Sequence, residues 1–249
     1  MRDRRKFGLI GKNIEYSFSR KYFLEKFSSD INLKGYNYAN FDIESINLIN
    51  SFISDKDIGG LNVTIPYKEE IIPYLDALTD EAKEIGAVNT ICFENNKKIG
   101  YNTDIFGFTE SLKVNSINNI KAMIIMGTGG AAKTIIYFCK KNKIPFNIVS
   151  RRKSKDYLSY RDIDHSFFKG NILIVNCTPV GTYPDINKCP DLPYNLLEKE
   201  NILYDLVYNP SETLFIKKGK EIGCKTLNGY EMLKFQAEMS WNLWTKSLK

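Results

Sequence analysis

"IIMGTGGAAKTII", residues 124–136, is the stretch whose reading decides the fold. An apolar run ends at Met126, a glycine turn follows, and an amphipathic stretch opens directly behind it. Gly127, Gly129 and Ala132 fill the spacing G-x-G-x-x-G/A, and the strand, turn and helix around them turn a weak pattern into a dinucleotide site. Gly127 permits the tight turn, Gly129 lets the backbone approach a pyrophosphate, and the helix N-terminus faces its negative charge.

Outward from this turn the alternation continues. "KAMIIMG" (121–127) predicts a strand, "TIIYFCKKN" (134–142) a helix and "FNIVS" (146–150) the next strand. "NILIVNCTP" (171–179) and "NILYDLVY" (201–208) are apolar runs of the kind found in parallel sheets covered on both faces. Strands alternating with helices imply a doubly wound α/β sheet, and "YEMLKFQAEMSWNLWTKSL" (230–248) predicts the closing helix. The second strand ends in Ser150, Arg151 and Arg152, 21 residues after Gly129. An NAD-binding protein usually carries Asp or Glu there for the ribose 2'-hydroxyl, whereas two arginines suit a 2'-phosphate. The expected cofactor is NADP.

The first half also alternates. "KFGLIG" (6–11), "YNYANF" (36–41), "GLNVTI" (60–65), "AVNTICFE" (87–94) and "KKIGYN" (97–102) read as strands. "SRKYFLEKF" (19–27), "IESINLINSFI" (43–53), most of "EEIIPYLDALTDEAKEIG" (69–86) and the stretch 104–114 read as helices. In "GGLNVTIPYKEE" (59–70), Leu61, Val63 and Ile65 form an apolar face, so period-2 alternation puts Asn62 and Thr64 on the other, with Lys68 two places past Pro66. Further polar motifs lie at predicted strand and loop ends: "YSFS" (16–19), Asn89 and Thr90 in "GAVNT", and "NTD" (102–104). Each alone fits a turn or helix cap. Ser17 and Ser19, two apart, would present both hydroxyls to one side of an extended segment.

Composition bounds the class. The 249 residues are 43% hydrophobic and 13% aromatic, ample for one large or two ordinary domains. No apolar run reaches membrane-helix length and the first residues do not form a signal peptide, so a soluble cytoplasmic protein is expected. Five scattered cysteines without a C-x-x-C pair indicate neither a disulfide framework nor zinc, and no metal is expected. The net charge of +6 is spread among acidic residues, which argues for a lysine-rich surface rather than nucleic acid. With His165 the single histidine, proton transfer must fall to Lys, Asp, Glu, Tyr or Cys.

From "GLIG…YSFS" through "NVTIPYK", "IGAVNT", "GYNTD", "GTGGAAK", "NCTPVGTYP" and "DLVYNPSETLF" to "NGYEMLKFQAE", the chain resembles the shikimate dehydrogenases over nearly its whole length. The resemblance implies a discontinuous N-terminal α/β substrate-binding domain (1–103, completed by 229–249) and a Rossmann-like NADP-binding domain (104–228), with the site in the cleft between them. It implies NADP-dependent reduction of 3-dehydroshikimate to shikimate, with Lys68 and Asp104 as the catalytic pair. Ser17 and Ser19 match the serines that hold the substrate carboxylate. Asn62, Thr64, Asn89 and Gln236 match contacts to its ring hydroxyls, and Tyr208 matches a tyrosine at the site. On the cofactor side, Gly127, Thr128, Gly129, Gly130 and Ala131 match the phosphate turn, Ser150, Arg151 and Arg152 the 2'-phosphate loop, and Leu206 and Gly229 positions near the nicotinamide. The family usually has His in place of Tyr16, Pro in place of Arg20, and Asn-Arg-Thr in place of residues 150–152.

Chemically, hydride delivery to a ketone develops negative charge on oxygen, and Lys68 offers both a cation and a proton there. Asp104 would orient the ammonium, and the residues alone leave open which of this coupled pair is the formal acid. Three alternatives share part of the pattern. A dual quinate/shikimate dehydrogenase would share nearly every motif but often prefers NAD. A methylenetetrahydrofolate dehydrogenase would lack the Ser-x-Ser motif. A non-catalytic NADP-binding regulator would not need both Lys68 and Asp104. The partners expected are small molecules, to a monomer or homodimer.

Overall fold

"KFGLIG" forms β1 (Lys6–Gly11) in a computed structural model that describes residues 6–15, 17–55 and 57–247, so Tyr16 lies outside the described residues. Helix α1 (Phe18–Ser29) and strand β2 (Asn37–Asp42) follow. "IESINLINSFI" is a 3-10 turn (Ile46–Ile49) running into the short α2 (Asn50–Ile53), and β3 (Ile58–Val63) comes next.

The long helix expected over 69–86 does not form. Its first part is turns and a 3-10 turn at Ile72–Tyr74, then β4 (Ala77–Leu78), and only α3 (Asp80–Ile85) is helical. Pro73 interrupts the helical hydrogen-bond ladder, and the chain beyond it pairs with β6 (Lys97–Tyr101), Ala77 opposite Ile99. The Asp76 carboxylate accepts the Lys98 N–H at 2.7 Å, a bond that holds its pKa below the ordinary carboxylate value. Strand β5 (Thr90–Glu94) joins β6 through a turn in which Asn95 and Asn96 both take positive φ, as Asn tolerates. Helix α4 (Asp104–Val114) follows.

These strands form one sheet in the order β2-β1-β3-β5-β6-β4. Its register explains why distant motifs meet, since Asn62 lies opposite Thr90 and Thr90 opposite Tyr101. One residue beyond that row lie Val63, Asn89 and Asn102, with Lys68 and Asp104 close behind in the chain. Strand β3 is buried on both faces. Leu61 and Val63 enter an aliphatic core with Ile10, Ile71 and Ile91, whereas Asn62 points the other way. Ile65, expected on the apolar face, lies past the strand end and is 58% exposed.

The second sheet contains β7 (Ala122–Met126), β8 (Phe146–Ser150), β9 (Leu158–Ser159), β10 (Ile172–Asn176), β11 (Ile202–Asp205) and β12 (Lys225–Leu227). All pairs are parallel and the order is β12-β11-β10-β7-β8-β9. Numbered from β7 this is 3-2-1-4-5-6, the doubly wound dinucleotide-binding order, with its switch point between β7 and β10. Helices α5 (Gly130–Lys141) and α6 (Leu214–Ile222) are its crossovers, and α7 (Tyr230–Ser247) ends the chain. No helix among the described residues is long and apolar enough to cross a membrane.

The chain divides into two compact units, one made of the residues up to Phe106 with those from Gln236 onward, the other Gly107–Phe235. The first holds an aromatic core in which Phe23 stacks on Tyr38 at 4.5 Å and Phe7 tilts against Trp244 at 5.0 Å. Trp244 is fully buried and donates its indole N–H to the Ile91 carbonyl, so truncating it would cost about 3–5 kcal/mol. The second unit is packed around Phe168, Leu203 and Phe215.

Candidate active site

Lys68 lies in the turns that follow β3, and its backbone carbonyl accepts the Val88 N–H at 2.7 Å. Asp104 is the first residue of α4 and is 6% exposed. Their side chains pair at 2.6 Å, Lys68 Nζ to Asp104 Oδ2, with side-chain exposures of 17% and 8%. The other carboxylate oxygen, Oδ1, accepts from Asn89 Nδ2 at 2.9 Å. Asn89 cannot turn over, because its Oδ1 takes the Thr103 N–H at 2.6 Å, and its amide also reaches Gln236 Oε1 at 3.2 Å. An ammonium held by a buried, hydrogen-bonded carboxylate keeps its remaining hydrogens for a ligand oxygen.

Behind this pair stands a buried polar network. Tyr38 donates to Asn62 Oδ1 at 2.8 Å, and Asn62 Nδ2 lies within 3.2 Å of the Asn89 carbonyl, Thr90 Oγ1 and Ser240 Oγ. The amide hydrogens of Asn62 are therefore used inside the protein, so its action is to hold Asn89 and Thr90. Burial pushes the Tyr38 phenol well above its ordinary pKa, opposed by a hydrogen bond from Ser19. The Thr64 hydroxyl makes no hydrogen bond to a described residue and is open to a ligand.

The serine pair differs from the sequence expectation. Only Ser17 is extended: it is the N-cap of α1, accepting from the Ser19 N–H at 3.3 Å, while Phe18 and Ser19 are already inside the helix and Ser19 is 8% exposed. The Ser17 hydroxyl hydrogen is not consumed by the cap, so one oxygen both caps the helix and can donate to an anion. Tyr208 and Leu206 lie on the loop after β11 in the second unit, both half-buried.

In the second unit the glycine turn is built for a close ligand. Gly127 has φ +113°, a region L side chains rarely adopt, and beyond the adjoining chain nothing lies within 4 Å of where a Gly129 side chain would begin. Gly129 is the N-cap of α5 and supplies no side-chain cap, so the first N–H groups of that helix remain for an anion. Ser150 ends β8; Arg151 and Arg152 are exposed and pair with no carboxylate among the described residues. Lys153 differs, since it pairs with Asp162 at 3.0 Å. Hydrogen bonds from the Ser159 N–H and from Lys153 hold the Asp162 carboxyl down at about 2. The two arginines therefore stay open to a ligand, and these residues fit a dinucleotide with a 2'-phosphate. Gly229 has a separate reason: a Cβ there would lie 2.1 Å from the Leu206 carbonyl oxygen.

Three participants escaped sequence reasoning. Ser240 sits four residues after Gln236, the same helical face, which was the signal available for it. Tyr38 gave none. Asp205, the one acid in an apolar strand, accepts from Asn176 Nδ2 at 2.9 Å, the Val207 N–H at 3.0 Å and Thr213 Oγ1 at 2.6 Å. It ties together the loops that follow β10 and β11, and burial pushes its carboxyl up to about 6 against the pull of those three donors.

Comparison with known proteins adds family relationships. Residues 9–91 match the family model described as the shikimate dehydrogenase substrate binding domain. The NADP(+) shikimate dehydrogenase of Methanococcus vannielii is 39% identical, covering 96% of this chain and 90% of its own. That of Clostridium beijerinckii is 40% identical, covering 96% and 91%. The crystal structure of shikimate 5-dehydrogenase from Thermus thermophilus, in complex with NADP(H) and shikimate, superposes with a TM-score of 0.86 at 27% identity, covering 97% of this chain and 93% of that one.

Proposed function

This chain belongs to the shikimate dehydrogenase family, and from that premise we propose that it catalyses the NADP-dependent, reversible reduction of 3-dehydroshikimate to shikimate. The observation that carries the reading is the 2.6 Å pair of Lys68 and Asp104 backed by Asn89 and Gln236. The cofactor, when bound, supplies the hydride. Lys68 directs its ammonium at the ketone oxygen, stabilises the charge that develops there and gives it a proton. Asp104 holds the ammonium in place, and the two act as a coupled pair.

Ser17 and Ser19 at the start of α1 receive the substrate carboxylate, where the helix N-terminus also favours an anion. Thr64, Asn89 and Gln236 receive the ring hydroxyls, with Asn62 holding Asn89 in register, and Tyr208 is a further substrate contact. Gly127, Thr128, Gly129, Gly130 and Ala131 take the pyrophosphate, Ser150, Arg151 and Arg152 the 2'-phosphate, and Leu206 and Gly229 line the nicotinamide. Residues 1–103 with 229–249 make the substrate domain and 104–228 the cofactor domain. The enzyme works in the cytoplasm on small molecules, as a monomer or homodimer.

Absorbance at 340 nm, with shikimate or quinate and NADP or NAD, tests this directly. Turnover is expected with shikimate and NADP, at a kcat/KM at least about tenfold above that with NAD, since one charge-assisted bond to the 2'-phosphate is worth roughly 1.5–3 kcal/mol. Arg151→Ala should erase most of that preference, and added salt should shrink it. Inactivity in all four combinations would sink the reading, and equal efficiency with both cofactors would remove the assignment of the arginines.

A further inference from the structure

We propose that Ser240 is a positioning residue of this enzyme: its buried hydroxyl sets the direction of the hydrogen bonds that aim the Asn89 amide at the Asp104 carboxylate. The inference rests on the reading of Lys68 and Asp104 as the catalytic pair. Ser240 lies on α7 and is fully buried. Its oxygen is 2.9 Å from the Gln236 carbonyl one turn back, 3.0 Å from Asn62 Nδ2, 2.8 Å from Thr90 Oγ1 and 3.0 Å from Thr103 Oγ1. A serine has one hydrogen. The helix carbonyl can only accept, so committing that hydrogen to Gln236 leaves Ser240 an acceptor toward everything else.

One assignment of hydrogens then satisfies the whole cluster. Asn62 gives its two hydrogens to the Asn89 carbonyl and to Thr90 Oγ1, at 3.2 and 3.1 Å. Thr90 and Thr103 both donate to Ser240. Thr103 thereby presents a lone pair to Asn89 Nδ2 at 2.9 Å, and the second Asn89 hydrogen goes to Asp104 Oδ1 at 2.9 Å. Each polar hydrogen has an acceptor, and the hydroxyl hydrogens of Thr90, Thr103 and Ser240 run toward one carbonyl of α7.

Remove the Ser240 hydroxyl and the assignment fails at a definite place. The Thr103 hydrogen loses its acceptor, and its remaining choices are Thr90 Oγ1 at 3.1 Å, Asn89 Oδ1 at 3.2 Å and Gln236 Oε1 at 3.5 Å. Turning toward any of the three re-aims the Thr103 lone pairs relative to Asn89 Nδ2. The amide is then shared differently between Asp104 and Gln236, and Asp104 holds Lys68 less firmly. No group that touches substrate has been altered, so the consequence falls on the geometry of the catalytic pair.

The experiment compares Ser240→Ala, Thr103→Val and Thr245→Ala. Thr245 makes the same kind of back-bond, to the Trp241 carbonyl at 2.9 Å, outside the network, and serves as the control for helix effects. Ser240→Ala should lower kcat by about fivefold or more, the equivalent of one neutral hydrogen bond, with KM for shikimate within about twofold. Thr103→Val, which keeps the side-chain volume, should do the same, and the double variant should lose much less than the product of the two. Thr245→Ala should leave kcat unchanged. Independently of turnover, hydrogen exchange at the Asn89 side-chain amide, followed by NMR, should quicken at least about tenfold in Ser240→Ala and Thr103→Val only. Unaltered exchange, or an unchanged kcat in an active wild-type background, overturns the proposal. A wild type inactive on shikimate removes the function reading instead, and amide exchange alone then decides the place of Ser240. Should Ser240→Ala fail to fold, Thr103→Val decides between these outcomes.

Discussion

Lys68 is a residue whose type was legible in the chain and whose role depends on a distance. A lysine two places past Pro66 is ordinary in isolation; set 2.6 Å from a nine-tenths buried carboxylate, it becomes a fixed cation. In the proposed reaction its contribution belongs to the transition state, where oxygen charge develops, so Lys68→Ala should lose at least about a hundredfold in kcat while the dissociation constant for shikimate changes little. Asp104→Asn should act in the same direction, and the double variant should fall well short of the product of the two losses. Stopped-flow turnover combined with calorimetric titration separates the two quantities. Equal kcat with a raised KM would make Lys68 a binding residue.

At the scale of elements, the two helix starts proposed to receive anions are built differently. Helix α1 is capped by the Ser17 side chain, whereas α5 has a glycine at its cap and no side chain across its first N–H groups. A side-chain cap at α5 would compete with a phosphate for the same donors. The junction at Gly229 is a matter of backbone against backbone, since its N–H donates to the Val207 carbonyl at 3.1 Å while the Leu206 carbonyl fills the space of a side chain. Gly229→Ala must push the start of α7 off the loop after β11. We expect a loss of about 1–3 kcal/mol in stability and a KM for NADP raised several-fold, read by thermal unfolding and by cofactor titration. Normal values for both would show that the loop yields freely and that Leu206 and Gly229 do not shape the nicotinamide position.

On the scale of the whole molecule, the buried carboxylate of Asp205 makes stability depend on pH. Its pKa is raised on folding, from the ordinary 3.8 to about 6, because burial penalises the charge more than its three donors favour it. A raised pKa means that the folded state binds the proton more tightly. The associated stability is full below pH 3.8 and is lost as pH rises through about 6. Between pH 4 and 7 the wild type should therefore lose about 2 kcal/mol relative to Asp205→Asn. Urea unfolding followed by far-UV circular dichroism at the two pH values measures it, whereas Trp241 and Trp244 report only on the first unit. The difference between the proteins isolates Asp205 from carboxylates such as Asp162, whose lowered pKa acts in the opposite sense. A difference that stays constant with pH would show that Asp205 does not titrate in this range.

The amino-acid sequence by itself determined what local physics controls. The glycine turn at 127–129, the arginines at the end of β8, α4 and the alternation of apolar strands with helices all follow from backbone freedom, charge and periodicity within a few residues. Tertiary structure decided what pairing and packing control. The segment 69–86 reads as a helix because its pattern is helical, yet Ala77–Leu78 gives up that choice to pair with β6, which places Asp76 on the Lys98 N–H. Ser17 and Ser19 read as an extended pair, but α1 begins one residue earlier than expected and takes Ser19 inside it. Asn62, read as facing a ligand, is turned into a buried support because Tyr38, Thr90 and Ser240 arrive from three other segments. A hydrogen bond between residues 178 positions apart leaves no trace in spacing or composition. It exists only because the sheet register and the last helix bring both ends to one place, where an unpaired amide would cost too much to bury.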